Sequence, residues 1–151
     1  MDKRKNNKIL VAEDSDDDFL LIRDAFEENG VPVDLAWVKD GEELMDYLYR
    51  RGPYQKPGST TVPDIILLDL NMPKKNGFEA LKEIKADAQL RRIPVIVLST
   101  SGSDSDIHKA YELGINAYIR KPIGFVLFAE AMKTLYDFWF GISKRADGET
   151  R

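Results

Sequence analysis

An unbroken apolar run, Ile65-Ile66-Leu67-Leu68, stops at a carboxylate, Asp69, and is followed by Leu70-Asn71-Met72-Pro73. A strand with one wet face alternates apolar and polar residues. A strand with no alternation is covered on both faces, the situation of a parallel sheet between helical layers. The carboxylate then emerges at the carboxyl end of the strand, where open α/β sheets place their ligands.

Around this run, strand-like and helix-like segments alternate along the whole chain. Ile9-Leu10-Val11-Ala12 predicts a first buried strand, and residues 17–29 a first helix with Phe19, Ile22 and Phe26 on one face, closed by Gly30. Val33, Leu35 and Trp37 alternate as a second strand. Leu44, Met45 and Leu48 mark a second helix after Asp40-Gly41, and Phe78, Leu81 and Ile84 a third. Val95-Ile96-Val97-Leu98 reads as a fourth strand. A fourth helix, capped by Asp104 or Asp106, stops at Leu113-Gly114. Tyr118-Ile119 ends a fifth strand, and 125–140 is a final, strongly apolar helix. Five βα units imply right-handed crossovers and a doubly wound, five-stranded parallel sheet in a three-layer α/β/α arrangement. The Pro/Gly/Ser/Thr-rich segment 50–63 breaks this rhythm and reads as a surface insertion before the third strand. The polar ends, up to Lys8 and from Ser143, are expected to fray.

Composition narrows the chemistry. At 151 residues, 43% apolar and 32% charged, the chain is expected to be one soluble domain. No apolar stretch reaches the roughly 20 residues of a membrane helix, and the polar start lacks a signal-peptide core, so the expectation is a cytoplasmic protein with no membrane contact. The absence of cysteine excludes disulfides, thiolate catalysis and zinc–sulfur sites. A single histidine, His108, rules out multi-histidine metal centres, and it reads as a solvated residue of the fourth helix. A net charge of −4 gives no support to direct nucleic-acid binding.

Acids, hydroxyls and a lysine recur where successive strands end: Glu13-Asp14, Asp69, Ser99-Thr100 and Lys121-Pro122. Helix capping accounts for Asp16, Asp17 and Asp18, which fall in a first turn. Glu13 and Asp14 come too early for that role. If Asp69 lies beside them, two carboxylates about 5 Å apart repel by about 3 kcal/mol at an effective dielectric of 20, and the cluster calls for a cation. Oxygen ligands with water favour magnesium over zinc. The same ion would let an anionic carboxylate approach an anionic phosphoryl donor. Lys121 can pair with a phosphoryl oxygen and Ser99 can donate to another. Lys121-Pro122 also invites a cis peptide that would aim the lysine inward.

Glu13-Asp14, Asp69 within Leu68-Asp69-Leu70-Asn71-Met72-Pro73, Gly77, Ser99-Thr100, Tyr118 and Lys121-Pro122 together resemble the receiver domain of two-component response regulators. The resemblance covers residues 8–140, leaving tails at 1–7 and 141–151, and implies the flavodoxin-like (βα)5 fold. It implies Asp69 as phospho-acceptor, and Mg²⁺ held by Glu13, Asp14, Asp69 and the backbone carbonyl of Asn71, with Glu13 acting through water. Lys121 would contact the phosphoryl group, Ser99 would be the switch hydroxyl and Tyr118 the switch aromatic. Thr100 departs from the small residue many receivers carry there, and would narrow access to the phosphoryl group. The segment before strand three and the aromatic tail look most like the small single-domain regulators paired with cyanobacterial and bacterial phytochromes, which implies a sensor histidine kinase, a bacteriophytochrome among the candidates, as partner.

Phosphorylation would add roughly two negative charges at Asp69 and draw Ser99 toward them, letting Tyr118 rotate inward and change the surface of the last helices. Tyr136, Phe138, Trp139 and Phe140 are more aromatics than one helix face can bury on a sheet, so a homodimer through the last helix is expected, with Phe138 or Phe140 packing across it. The alternatives are a phosphorelay shuttle to a histidine phosphotransfer protein, and a receiver-like module that is never phosphorylated. An aspartyl-phosphate phosphatase would need an acid two residues after its nucleophile, where this chain has Asn71. The protein is thus expected to be a signalling protein with slow self-dephosphorylation rather than an enzyme.

Overall fold

The computed structural model describes residues 7–142. β1 (Asn7–Ala12), β2 (Val33–Val38), β3 (Ile65–Leu68), β4 (Val95–Ser99) and β5 (Ala117–Arg120) form one parallel sheet in the order β2-β1-β3-β4-β5. They alternate with α1 (Asp16–Asn29), α2 (Gly41–Tyr49), α3 (Gly77–Ala86), α4 (Asp104–Glu112) and α5 (Phe125–Tyr136). The expected doubly wound, flavodoxin-like fold is what forms.

Successive strand residues face opposite sides, and each side has its own helices. Leu10, Ile66, Leu68, Val95 and Val97 pack with Leu44 and Met45 of α2, Leu81 and Ile84 of α3, and Ala110 of α4. Ile9, Val11, Ile65, Leu67 and Ile96 pack with Ile22 and Phe26 of α1 and Phe128 and Met132 of α5. That two-sided burial explains why β1, β3 and β4 read as solid apolar runs.

Local signals set the helix boundaries. Ser15 caps α1, accepting from the Asp18 backbone N–H at 3.2 Å, and Gly30 closes it in the left-handed region at φ 65°. Asp40 caps α2 and Asn76 caps α3 through a reciprocal pair with Glu79. At α4 the expectation fails: Ser103, not Asp104 or Asp106, is the cap, and both acids sit inside the first turn. A serine hydroxyl one position earlier reaches the Asp106 N–H, which leaves the acids to interact with the helix dipole.

Two further expectations are corrected. Asn7 and Lys8 do not fray; they pair with Val33 and Asp34 as the first rungs of β1. The rest of both expected tails, 1–6 and 143–151, lies outside the described residues. Segment 50–63, expected as a surface insertion, runs mostly exposed but is tied down at several points. It holds a 3-10 turn at Gly52–Tyr54, the Tyr54 hydroxyl donates to Glu43 at 2.6 Å, the Tyr54 ring meets Tyr47 edge-on, and Thr60 is buried. No cis peptide bond occurs among the described residues, so Lys121 is aimed by its strand and by the bond from its N–H to the Ser99 carbonyl at 2.7 Å.

The last helix continues past Tyr136 as a π-helical stretch, Asp137–Ile142. Tyr136, Trp139 and Phe140 pack partly buried against the α1/α5 core, and the Tyr136 hydroxyl accepts from Asn7 at 3.1 Å. Of the four aromatics expected at an interface, only Phe138 stays exposed, at 47%.

Candidate phosphoryl-acceptor and metal site

The sheet order reverses direction between β1 and β3, and that switch point is where a doubly wound sheet leaves a crevice at its carboxyl edge. The Asp69 N–H bonds to the Ala12 carbonyl at 3.0 Å, locking the residue after β3 against the end of β1. The two residues that follow β1 are Glu13 and Asp14. Glu13 is fixed in turn, its N–H on the Val38 carbonyl at 3.0 Å and its own carbonyl accepting from the Trp37 indole at 2.7 Å.

Glu13, Asp14 and Asp69 each bring a carboxylate oxygen within 4.8 Å of the others. Glu13 and Asp69 are buried, whereas Asp14 faces solvent. Burial pushes the Glu13 carboxyl up to about 7; Lys121 opposes this by hydrogen bonding, and the neighbouring Asp69 adds to it. Burial likewise raises Asp69, against the attraction of Lys121 and the Asn71 N–H, which reaches Asp69 Oδ1 at 3.3 Å. Two buried acids that resist ionisation, held together by backbone bonds, share a single nearby ammonium, that of Lys121. An all-oxygen donor set with one wet member fits a hard, hydrated divalent cation.

Glycines bring the supporting loops close. A Cβ at Gly77 would lie 2.5 Å from the Asp69 carbonyl oxygen, so α3 can start against the Asp69 backbone only with glycine there. Between them Lys74 takes a left-handed conformation, φ 63°.

Ser99 is fully buried at the end of β4, and its Oγ accepts from the Ser101 N–H at 3.2 Å. Thr100 follows it, exposed. Tyr118 on β5 is half-buried, and its hydroxyl donates to the Ser101 carbonyl at 2.9 Å, tying it to the same β4–α4 loop as Ser99. His108 is exposed on α4, with Glu112 3.4 Å away.

Lys121 makes ion pairs that sequence reasoning did not anticipate. Its ammonium lies 2.9 Å from Glu13 Oε1 and 2.8 Å from Asp18 Oδ2. Burial would depress the ammonium, but these two carboxylates outweigh it and hold it above its ordinary value. Asp18 was assigned to capping alone; the signal that could have found it is its position one helical turn past Glu13-Asp14, on the side that faces the site. Also unanticipated is a set of exposed apolar side chains. Ile123 (93% exposed), Val126 and Leu127 at the start of α5, with Leu20 and Leu21 on α1, leave large side chains in water.

Residues 9–133 match the response regulator receiver domain family. The chain belongs to that family. It is 38% identical over 133 residues to the probable methanogenesis regulatory protein FilR2 of Methanothrix harundinacea, covering 88% of this chain and 83% of that protein. It is 37% identical over 131 residues to response regulator Rcp1 of Synechocystis, covering 87% of each. The crystal structure of the phosphorylated cyanobacterial phytochrome response regulator RcpA superposes with a TM-score of 0.86 at 41% identity, over 94% of this chain and 99% of that one. The Mn²⁺-bound form of Rcp1 superposes at 0.83 and 34% identity, over 92% and 98%. The receiver is thus a signalling domain, and no described helix is long and apolar enough to cross a membrane.

Proposed function

We propose that this receiver accepts a phosphoryl group on Asp69 from a sensor histidine kinase, in a Mg²⁺-dependent reaction in the cytoplasm, and signals through a changed protein-binding surface. The observation that carries the proposal is the convergence of Glu13, Asp14 and Asp69 within 4.8 Å, with the Lys121 ammonium alongside. Glu13, Asp14 and Asp69, with the Asn71 carbonyl, would hold the ion. When bound, it neutralises charge between the carboxylate and the incoming phosphoryl oxygens.

The Asn71 N–H on Oδ1 sets the rotation of the Asp69 carboxylate. A carboxylate oxygen attacks phosphorus; the new O–P bond forms as the donor's P–N bond breaks, and that electron pair leaves with the nitrogen. The product carries roughly two added negative charges. Ser99, whose hydroxyl proton is free to turn, donates to a phosphoryl oxygen and so releases the Ser101 N–H. That loosens the loop to which Tyr118 is tied and lets the ring move. Ile123, Val126, Leu20 and Leu21 are exposed apolar side chains of the kind a docking kinase would cover. Likeness to RcpA and Rcp1 supports a phytochrome-type kinase.

We further propose a homodimer through the last helix. Phe138 is exposed beside an open groove of about 400 Å³ lined by Ile119, Ala131, Leu135 and Trp139 at the β5 edge, which a second copy would fill. Sedimentation equilibrium should show dimer that Phe138→Ala weakens; monomer alone at high concentration, with and without an acyl-phosphate mimic, refutes it. The acceptor chemistry is tested by intact mass after incubation with phosphoramidate. An added phosphoryl mass is expected for wild type with Mg²⁺, and none with chelator or for Asp69→Asn. A mass added equally to Asp69→Asn overturns the assignment. Adding a histidine phosphotransfer protein and following phosphoryl lifetime separates a terminal receiver from a shuttle.

A further inference from the structure

Lys121 is the cation bonded into the acidic site, and its ion pairs are with the neighbours of Asp69 rather than with Asp69 itself. Both of its ion pairs go elsewhere, to Glu13 and to Asp18, while Asp69 attracts it only through space. The lysine side chain is 11% exposed and that of Glu13 3%, but that of Asp18 is 36% exposed. Asp18 is also held firmly in place. Its backbone N–H is bonded to the Ser15 cap, so its carboxylate is presented from a fixed first turn of α1.

We infer that Asp18 is a positioning residue: a solvent-facing counter-anion that holds Lys121 back until a phosphoryl group on Asp69 outcompetes it. The inference rests on Asp69 as phospho-acceptor and adds the residue that sets how strongly the phosphorylated state is favoured. An ammonium has three donors. Two are committed here, and engaging a phosphoryl group needs the head to swing from at least one carboxylate. Glu13 is costly to abandon, because a buried carboxylate without a partner or a metal loses its compensation. Asp18 can exchange the lysine for water. Its charge therefore acts in one direction on the phosphoryl group and in the other on the cation. It competes for Lys121 and repels the phosphoryl oxygens, yet by sharing Lys121 with Glu13 it offsets part of the positive charge that opposes a cation at the metal pocket.

The test is Asp18→Asn, which keeps an oxygen to accept from Lys121 and removes the charge. Mg²⁺ affinity is read by calorimetry, and affinity for beryllofluoride, an acyl-phosphate mimic, at saturating Mg²⁺. The expected result is opposite shifts, each on the order of threefold to tenfold: weaker Mg²⁺ binding and tighter beryllofluoride binding, with a longer phosphoryl lifetime. Damage to α1 would weaken both. Asp18→Glu should return both constants toward wild type. In a Lys121→Ala background the beryllofluoride gain from Asp18→Asn should fall below about twofold, because the lysine carries it. Wild type binding neither beryllofluoride nor a phosphoryl group would end the acceptor reading and this inference with it. Wild type binding both, with Asp18→Asn unchanged or weakened in both constants, leaves the acceptor reading standing and overturns the role of Asp18.

Discussion

Asp69 and Asp87 each follow the end of an element and start a turn, yet their carboxylates have opposite relations to the fold. Asp87 closes α3 and accepts from the backbone N–H groups of Gln89 and Leu90 at 2.8 and 2.9 Å, with the Tyr49 hydroxyl at 3.2 Å. Those bonds pull its carboxyl below the ordinary value. Asp69 accepts one long bond, sits among two other acids, and is raised by burial. The first acid is satisfied and holds a helix end; the second waits for something the chain alone does not supply. Chemistry concentrates where local rules are broken, and stability where they are met.

Three measurements would break or sharpen that contrast. The largest effect is expected from Asp14→Asn. Losing even an outer-shell group typically costs a metal site 10- to 100-fold, so loss of a direct ligand should weaken Mg²⁺ binding by more than about 100-fold in calorimetry. The same variant should melt about 2 °C higher than wild type in chelator, since it relieves repulsion. A lower melting temperature would mean the cluster is not frustrated.

Next is pH. Between 4.5 and about 7 the folded protein keeps a proton on Glu13 that the unfolded chain has lost. The folded state binds more protons there, so stability falls as pH rises through that window, and Asp69 acts in the same direction. In chelator, the fold should be about 2 kcal/mol more stable at pH 5.5 than at pH 7.5 by denaturant titration, and saturating Mg²⁺ should abolish the difference. The smallest effect is expected from Asp87→Ala, which should lower the melting temperature by a few degrees with or without Mg²⁺. Its depressed carboxyl contributes at every pH above its unfolded value of 3.8 and loses that contribution only as pH falls below it. A Mg²⁺-dependent response at Asp87 would erase the distinction.

The residues of the candidate site stood out in the sequence because β1, β3 and β4 are buried on both faces and their runs end abruptly at Glu13, Asp69 and Ser99. Asp18 was hidden by a sound rule: acids in a first turn complement the helix dipole, and nothing local says that one of them also reaches a lysine 103 residues later. Apolar content in α5 was legible, but its direction was not. Tyr136, Trp139 and Phe140 pack against the core cluster that includes Ile22 and Phe26 of α1, while Ile123 and Val126 stay exposed. Which end of a helix meets the core depends on crossing geometry that composition does not encode. Ser103 displaced the acids at the α4 cap by one position, the usual precision of a boundary drawn without coordinates.

The bond from the Trp37 indole to the Glu13 carbonyl has a consequence for observing the molecule. Trp37 stacks on Phe19 of α1, rings parallel to within 2° at 4.3 Å, with the Lys39 ammonium 4.7 Å from its centre. Any rearrangement of Glu13 or of the first turn of α1 alters the field at that ring. The chain's other tryptophan, Trp139, is packed with Phe138 at the far end of α5. Trp139→Phe would leave one tryptophan wired by a hydrogen bond to the proposed cation site, so that its emission would report occupancy in real time without any attached dye.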